Sequence, residues 1–109
     1  KKNILENKPL IIFGDGKATR DFIHIDDVID GIILSMKSTS GIYNIASGNG
    51  TSISNLAKLF IQLSGKSSKI IYKSARAGEI TYSVANITKS QQELGFYTKI
   101  SLNAGLKIL

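Results

Sequence analysis

The sequence contains no cysteine and no tryptophan, and it has one histidine and one proline among 109 residues. Without thiols the chain forms no disulfide and offers no thiolate ligand. A single histidine without cysteine disfavours a transition-metal site, so we expect no metal in this chain. No apolar run approaches the roughly 18 residues that suggest a membrane span, and the first residues show no secretory signal pattern. We therefore expect a cytoplasmic protein with no membrane contact.

Negative charge is also scarce, with 8 aspartates and glutamates against 14 lysines and arginines and a net charge of +6. A net positive charge favours anionic partners, among them nucleotides, phosphorylated metabolites and nucleic acids. The lysines are scattered, however, and aromatic residues make up 7% of the chain. A nucleic-acid groove usually combines clustered charge with stacking aromatics, so we expect no nucleic-acid partner. A non-catalytic anion- or nucleic-acid-binding module stays open as an alternative of a different class.

The most informative stretch is residues 13–28, which combines a glycine turn, an arginine and the start of an apolar helix. A glycine turn lets backbone N–H groups point at a ligand, and the guanidinium fork of Arg20 fits phosphate oxygens. Asp26 or Asp27 is expected to start a helix whose apolar face holds Ile25, Val28, Ile29, Ile32, Ile33 and Met36. On these residues alone, a hairpin loop with a solvent-exposed arginine explains the pattern as well as a ligand site does.

Strands and helices alternate along the chain, which predicts one α/β domain. Strands are expected at 10–13, 20–25, 42–46, 69–73 and, as a short extended piece, 82–85, with the first and the centre of the third buried. Helices are expected to end near residue 7, to span 26–37, to follow Ser52 up to Gly65, to run from Asn86 or Thr88 to residue 94, and to follow Ser101. The helix after Ser52 is expected to bury Ile53, Leu56, Ala57, Phe60 and Ile61. Gly31 lies within the second helix, where glycine costs stability, and this predicts a close contact with a neighbouring element.

Patterns of catalytic or cofactor-binding residues are missing from the chain. The glycine pairs at 14 and 16 and at 48 and 50 lack the third glycine of a dinucleotide-binding loop. No tyrosine is followed four residues later by a lysine. We expect no catalytic residue and no cofactor-binding residue in this chain.

Four blocks, in this order, resemble the C-terminal, substrate-binding part of the extended short-chain dehydrogenase/reductases. These are the NAD-dependent nucleotide-sugar epimerases and dehydratases, and the likeness is to UDP-glucose 4-epimerase in particular. The blocks are residues 12–28, 43–48 with 52–57, 76–79 with 86–89, and 93–96 with 101–102. The resemblance implies a small mixed α/β substrate-binding domain over residues 1–109, truncated at both ends, from a Rossmann-type enzyme whose Rossmann domain is absent here.

The resemblance also implies roles for the matched residues. Arg20 and Arg76 are expected to bind the diphosphate of a nucleotide sugar from its two sides, where each guanidinium can bind bidentately. Glu79 is expected to accept hydrogen bonds from a ribose hydroxyl. Ile11 and Phe13 match the strand whose backbone contacts the pyrimidine base.

Two of these roles have a simpler alternative. Asn44 matches an asparagine frequent in the family and is included as a substrate-binding residue, but a buried asparagine bonded to a neighbouring loop explains it equally well. On the residues alone, Arg76 and Glu79 would form a local surface ion pair worth little stability.

As a whole, the resemblance implies the substrate-binding fragment of an NAD-dependent UDP-sugar 4-epimerase. The missing N-terminal Rossmann domain would bind NAD and carry the catalytic residues, so the fragment alone is expected to be inactive. The parent is expected to be a homodimer. A dTDP-glucose 4,6-dehydratase or a UDP-glucuronate-modifying relative is the alternative within the family.

Overall fold

The computed structural model describes residues 2–38 and 40–109. Ten short elements follow one another in the described part of the chain. In order they are α1 (Lys2–Leu5), β1 (Leu10–Phe13), β2 (Thr19–Asp21), α2 (Ile25–Ser35), β3 (Gly50–Ser52), α3 (Ile53–Ser64), β4 (Ile70–Lys73), β5 (Tyr82–Ser83), α4 (Thr88–Leu94) and α5 (Leu102–Ile108). None of these helices has the length and apolar character that crossing a bilayer needs.

Ser52 and Ser101 cap α3 and α5 as predicted, whereas the N-cap of α4 is Ile87, which makes no side-chain cap hydrogen bond. The hydroxyl of Ser52 accepts a hydrogen bond from the Asn55 N–H at 3.2 Å, and that of Ser101 accepts one from the Ala104 N–H at 3.2 Å. At the start of α4 the Asn86 side chain accepts the Thr88 N–H at 3.0 Å. Each bond satisfies an N–H group that lacks a partner within its own helix, so these short helices begin at defined residues.

The chain divides into two compact units, and the first comprises residues up to Arg20 together with Thr51–Ser83. Within it β1 and β4 pair in parallel, with Phe13 opposite Lys73. A second small sheet has the strand order β3-β2-β5, and β2 runs parallel to β5. Helix α3 packs against β1 and α1. The most buried apolar side chains of this unit are Ile4, Ile12 and Ala57.

The second unit comprises Asp21–Gly50 and Val84–Leu109. Its α2 and α4 pack together, and its most buried side chains include Phe96 and Ser90, both fully buried. A Cβ atom on Gly31 would lie 2.7 Å from Cγ2 of Ile45, closer than real contacts allow. The predicted close contact at Gly31 is therefore confirmed.

The apolar face predicted for α2 is largely exposed, and of its six residues only Val28 is half-buried. Ile25, Ile29, Ile32, Ile33 and Met36 are all exposed, whereas the buried positions of the helix are Asp27 and Gly31. The helix also starts one residue earlier than predicted, because the imidazole of His24 accepts the Asp26 N–H at 3.2 Å and caps it.

Two strand predictions are also corrected. Residues 42–46 form no strand, and Ile42 is 89% exposed. Side chains of α4 take the backbone acceptors that a strand partner would use, since Lys89 donates to the Ile42 carbonyl and Ser90 to the Asn44 carbonyl. The strand predicted at 20–25 spans Thr19–Asp21. It does not reach residue 25, because His24 is the N-cap of α2 and Ile25 is its first residue.

Burial within the confirmed elements is lower than predicted. Strand β1 alternates, so that Ile12 is buried while Ile11 and Phe13 are exposed on the opposite face. In α3 only Ala57 of the five predicted core residues is fully buried, and Ile53, Leu56, Phe60 and Ile61 are half-buried.

Candidate functional site

A cavity of about 500 Å³ opens in the first unit where β1 and β4 end. Because the two strands are parallel and Phe13 lies opposite Lys73, the segments that follow them leave the sheet at the same edge. Ligands of open α/β sheets bind at this carboxyl edge, and the volume lies in the range of small-molecule sites. The lining residues are Phe13, Gly14, Asp15, Gly16, Lys17, Ala18, Ala75, Arg76, Gly78, Glu79, Ile80 and Thr81.

One wall of the cavity is the tight turn after β1. Gly14 and Gly16 have φ angles of +84° and +73°, which residues other than glycine adopt only with strain. A Cβ on Gly16 would also lie 2.0 Å from the Ser54 hydroxyl. The Asp15 carboxylate accepts the Lys17 N–H at 2.9 Å and fixes the turn. The glycine turn predicted from the sequence thus forms and lies at the cavity.

The segment after β4 contributes Arg76 and Glu79 to the lining. The guanidinium of Arg76 lies over the Phe13 ring, with its central carbon 3.9 Å from the ring centroid. Oε2 of Glu79 lies 4.0 Å from where a Cβ on Gly14 would be. Within residues 2–38 and 40–109 no ion pair joins Arg76 to Glu79. The local ion pair that the residues alone suggested is therefore not formed, and both side chains line the cavity.

The cavity thus brings together three of the six residues predicted from the sequence: Phe13, Arg76 and Glu79. Among the described residues, Ile11 and Arg20 are not part of this lining. Ile11 is 46% exposed on β1. Arg20 is half-buried on β2, opposite Ser83, and its guanidinium donates to the Thr19 carbonyl at 2.9 Å.

Asn44 belongs to the second unit. Its side-chain amide donates to the Asn86 carbonyl at 3.2 Å. This is the loop contact of the simpler alternative, although Asn44 is exposed rather than buried.

Sequence reasoning missed the contribution of Lys17, Ile80 and Thr81 to the lining. It also missed the stacking of Arg76 on Phe13, which joins residues 63 positions apart. Parallel pairing of the strands predicted at 10–13 and 69–73 could have indicated this contact. It places Phe13 and the residues after Lys73 at the same edge of the sheet.

Comparisons with known proteins identify the family. The family model for GDP-mannose 4,6 dehydratase matches residues 2–109. The chain is 37% identical to a UDP-glucuronate 4-epimerase of Thermodesulfobacterium geofontis, over 97% of this chain and 33% of that protein. It is 34% identical to a putative UDP-glucose 4-epimerase of Methanocaldococcus jannaschii, over 95% of this chain and 34% of that one.

Solved structures agree in fold. The UDP-glucose 4-epimerase of Thermotoga maritima, crystallised with UDP-glucose, superposes with a TM-score of 0.93 at 34% identity, over 98% of this chain and 35% of that one. The UDP-glucuronic acid 4-epimerase of Bacillus cereus, solved with UDP-glucuronic acid and NAD, gives 0.88 at 35% identity, over 97% and 35%.

The chain therefore belongs to the GDP-mannose 4,6 dehydratase family, and its small mixed α/β fold is that of part of an extended short-chain dehydrogenase/reductase. This confirms the resemblance read from the four sequence blocks. The chain spans about a third of the length of the relatives it matches.

Proposed function

We propose that this chain is the C-terminal substrate-binding domain of an NAD-dependent UDP-sugar 4-epimerase. The observation that carries the proposal is the cavity at the ends of β1 and β4, which holds Phe13, Arg76 and Glu79 together. The chain that superposes on it with a TM-score of 0.93 is an epimerase crystallised with UDP-glucose. The parent protein would supply the Rossmann domain, and we propose a homodimeric cytoplasmic enzyme.

Within the cavity, charge and geometry suit a nucleoside diphosphate. The guanidinium of Arg76 can donate two parallel hydrogen bonds to phosphate oxygens. Lys17 adds a second cation to the same lining. Glu79 presents a carboxylate that can accept hydrogen bonds from ribose hydroxyls. The backbone of β1 at Ile11 and Phe13 would contact the base. We assign Arg20 to the other side of the diphosphate and Asn44 to the substrate as well.

The role of the domain is binding rather than chemistry. Contacts to the diphosphate, away from the sugar, hold the substrate and orient its C4 toward the reacting groups of the parent enzyme. NAD, when bound in the parent, supplies the hydride acceptor and donor for oxidation and reduction at C4. No catalytic residue of that reaction is assigned to this chain.

Calorimetric titration of the full-length protein with UDP, UMP and pyrophosphate tests the proposal. We expect UDP to bind most tightly and Arg76→Ala to weaken UDP binding roughly 10- to 100-fold, as the loss of charge-assisted hydrogen bonds implies. Glu79→Gln should weaken UDP and leave pyrophosphate unchanged. Lys58→Ala is the matched control, because it removes one positive charge from the exposed side of α3 in the same unit. Equal losses in Arg76→Ala and Lys58→Ala would contradict a specific site.

Two observations support alternatives within the family. The relative from T. geofontis is a UDP-glucuronate 4-epimerase, which favours a carboxylated sugar as the substrate. The matching family model carries the name of a 4,6-dehydratase, and a dTDP-sugar dehydratase would use the same binding domain. Comparing UDP with dTDP and GDP in the same titration separates the base preferences.

A further inference from the structure

The guanidinium of Arg76 lies over the ring of Phe13, with its central carbon 3.9 Å from the ring centroid. Phe13 is the last residue of β1, and its side chain projects from the face opposite the buried Ile12. The strand therefore holds the ring on a rigid element, whereas Arg76 lies in an irregular segment after β4. The ring is the fixed partner of this contact and the arginine is the movable one.

Stacking and hydrogen bonding use different parts of a guanidinium. The face of the group interacts with the electron-rich face of the ring, while its N–H groups all lie in the guanidinium plane and point outward. A stacked arginine can therefore still bind a diphosphate bidentately. Because the long side chain is already ordered, less conformational entropy is lost when the ligand binds. Lysine could not replace it, since an ammonium has no planar fork.

We infer that the ring of Phe13 is a positioning residue that pre-orients Arg76 for the diphosphate. The inference rests on the proposed function, because it takes a nucleoside diphosphate as the ligand. The Phe13 side chain thus has a role of its own. Contact with the base is assigned by the resemblance to the backbone of this strand. The aromatic ring acts through Arg76 and not directly on the ligand.

A double-mutant cycle measures this coupling in the full-length protein, with UDP as the probe. Phe13→Leu keeps an apolar side chain but removes the ring, and we expect it to weaken UDP binding roughly two- to ten-fold. Phe13→Tyr keeps the ring and should bind UDP like the wild type. In the Arg76→Ala background, Phe13→Leu should cause no further loss, because the group that it positions is gone.

A second measurement reports on the stack without ligand. In protein with ¹³C-labelled arginine, the side-chain signal of Arg76 is identified by its disappearance in Arg76→Ala. We expect ring-current shielding of that signal in the wild type and in Phe13→Tyr, and its loss in Phe13→Leu. An unshielded signal in the wild type would overturn the inference.

The outcomes also separate the inference from the proposed function. If Arg76→Ala loses UDP binding while Phe13→Leu binds normally, the function stands and the positioning role is wrong. If Phe13→Leu causes the same loss with and without Arg76, the ring contacts the ligand directly and the inference is again overturned. If the wild-type protein binds no nucleoside diphosphate, the proposed function fails and the inference falls with it.

Discussion

Asp27 shows how far the role of one residue can depart from its sequence pattern. It stands beside Asp26 at a helix start, and both fit the usual preference for acids near a helix N-terminus. In the structure Asp27 is 1% exposed, and its carboxylate accepts the backbone N–H groups of Lys99 and Ile100 at 2.9 and 3.1 Å. Nothing in the local sequence distinguishes the two aspartates, because the N–H groups that select Asp27 lie more than 70 residues away.

Replacing Asp27 should therefore destabilise the protein far more than replacing its neighbour. Asp27→Ala leaves the N–H groups of Lys99 and Ile100 without their buried acceptor, and we expect a loss of about 3 kcal/mol in the free energy of unfolding. Asp26→Ala, at an exposed position, is the control and should cost less than about 1 kcal/mol. Urea denaturation measures both. Similar unfolding midpoints for the two variants would show that the buried carboxylate does not hold the segment at Lys99.

At the scale of elements, local signals predicted the structure well and burial poorly. Ser52 and Ser101 cap their helices as predicted, because each cap bond joins residues three positions apart. The segment 42–46 had the composition of a strand and is not one, since its backbone acceptors bond to side chains of α4. These side-chain donors lie more than 40 residues along the chain, so a pattern read within the segment does not include them.

Gly31 gives a test of how α2 is held within the second unit. Gly31→Ala would put a methyl group 2.7 Å from Cγ2 of Ile45, so the Ile45 side chain must move. We expect a loss of about 1–3 kcal/mol in the free energy of unfolding. Ile45→Ala removes the obstructing atoms. In the double variant the alanine at 31 should then cost little beyond the loss from Ile45→Ala alone. Additive losses in denaturation experiments would show that this contact does not determine the need for glycine.

The Lys99–Asp30 ion pair gives α2 a pH-dependent contact. Nζ of Lys99 donates to the Asp30 carboxylate at 2.6 Å, and this hydrogen bond, followed by the charge of Asp30, raises the pKa of Lys99 above its ordinary value of 10.5. A group whose pKa is raised by folding stabilises the folded state below its unfolded pKa. That contribution is lost as the pH rises through the higher folded pKa.

We therefore expect the stability difference between wild type and Lys99→Met to be constant from neutral pH to about pH 10 and to shrink above it. Unfolding midpoints measured at pH 7, 9 and 11 provide the comparison. Lys37→Met removes one positive charge from an exposed position of the same unit and controls for the change in net charge. A Lys99→Met difference that stays the same at pH 11 would contradict the assigned cause of the shift.

At the scale of the whole molecule, the family was predictable from the sequence, while only half of the candidate site is gathered at the cavity. Phe13, Arg76 and Glu79 line one cavity because parallel strands bring their ends to a common edge. Arg20, Ile11 and Asn44 lie elsewhere in the chain, and their roles rest on the resemblance. Motif matching predicts which residue types recur in a family, but side-chain direction and the surrounding lining depend on the folded geometry.

The proposed 4-epimerase is tested by incubating the full-length protein with UDP-glucose or UDP-glucuronate in the presence of NAD. Proton NMR of the sugar anomeric signals follows the substrate, and mass spectrometry determines the mass of the product. We expect a second nucleotide sugar of unchanged mass that is the C4 epimer of the substrate. A product lighter by one water would identify a dehydratase, and no conversion of either substrate would contradict the proposed epimerase.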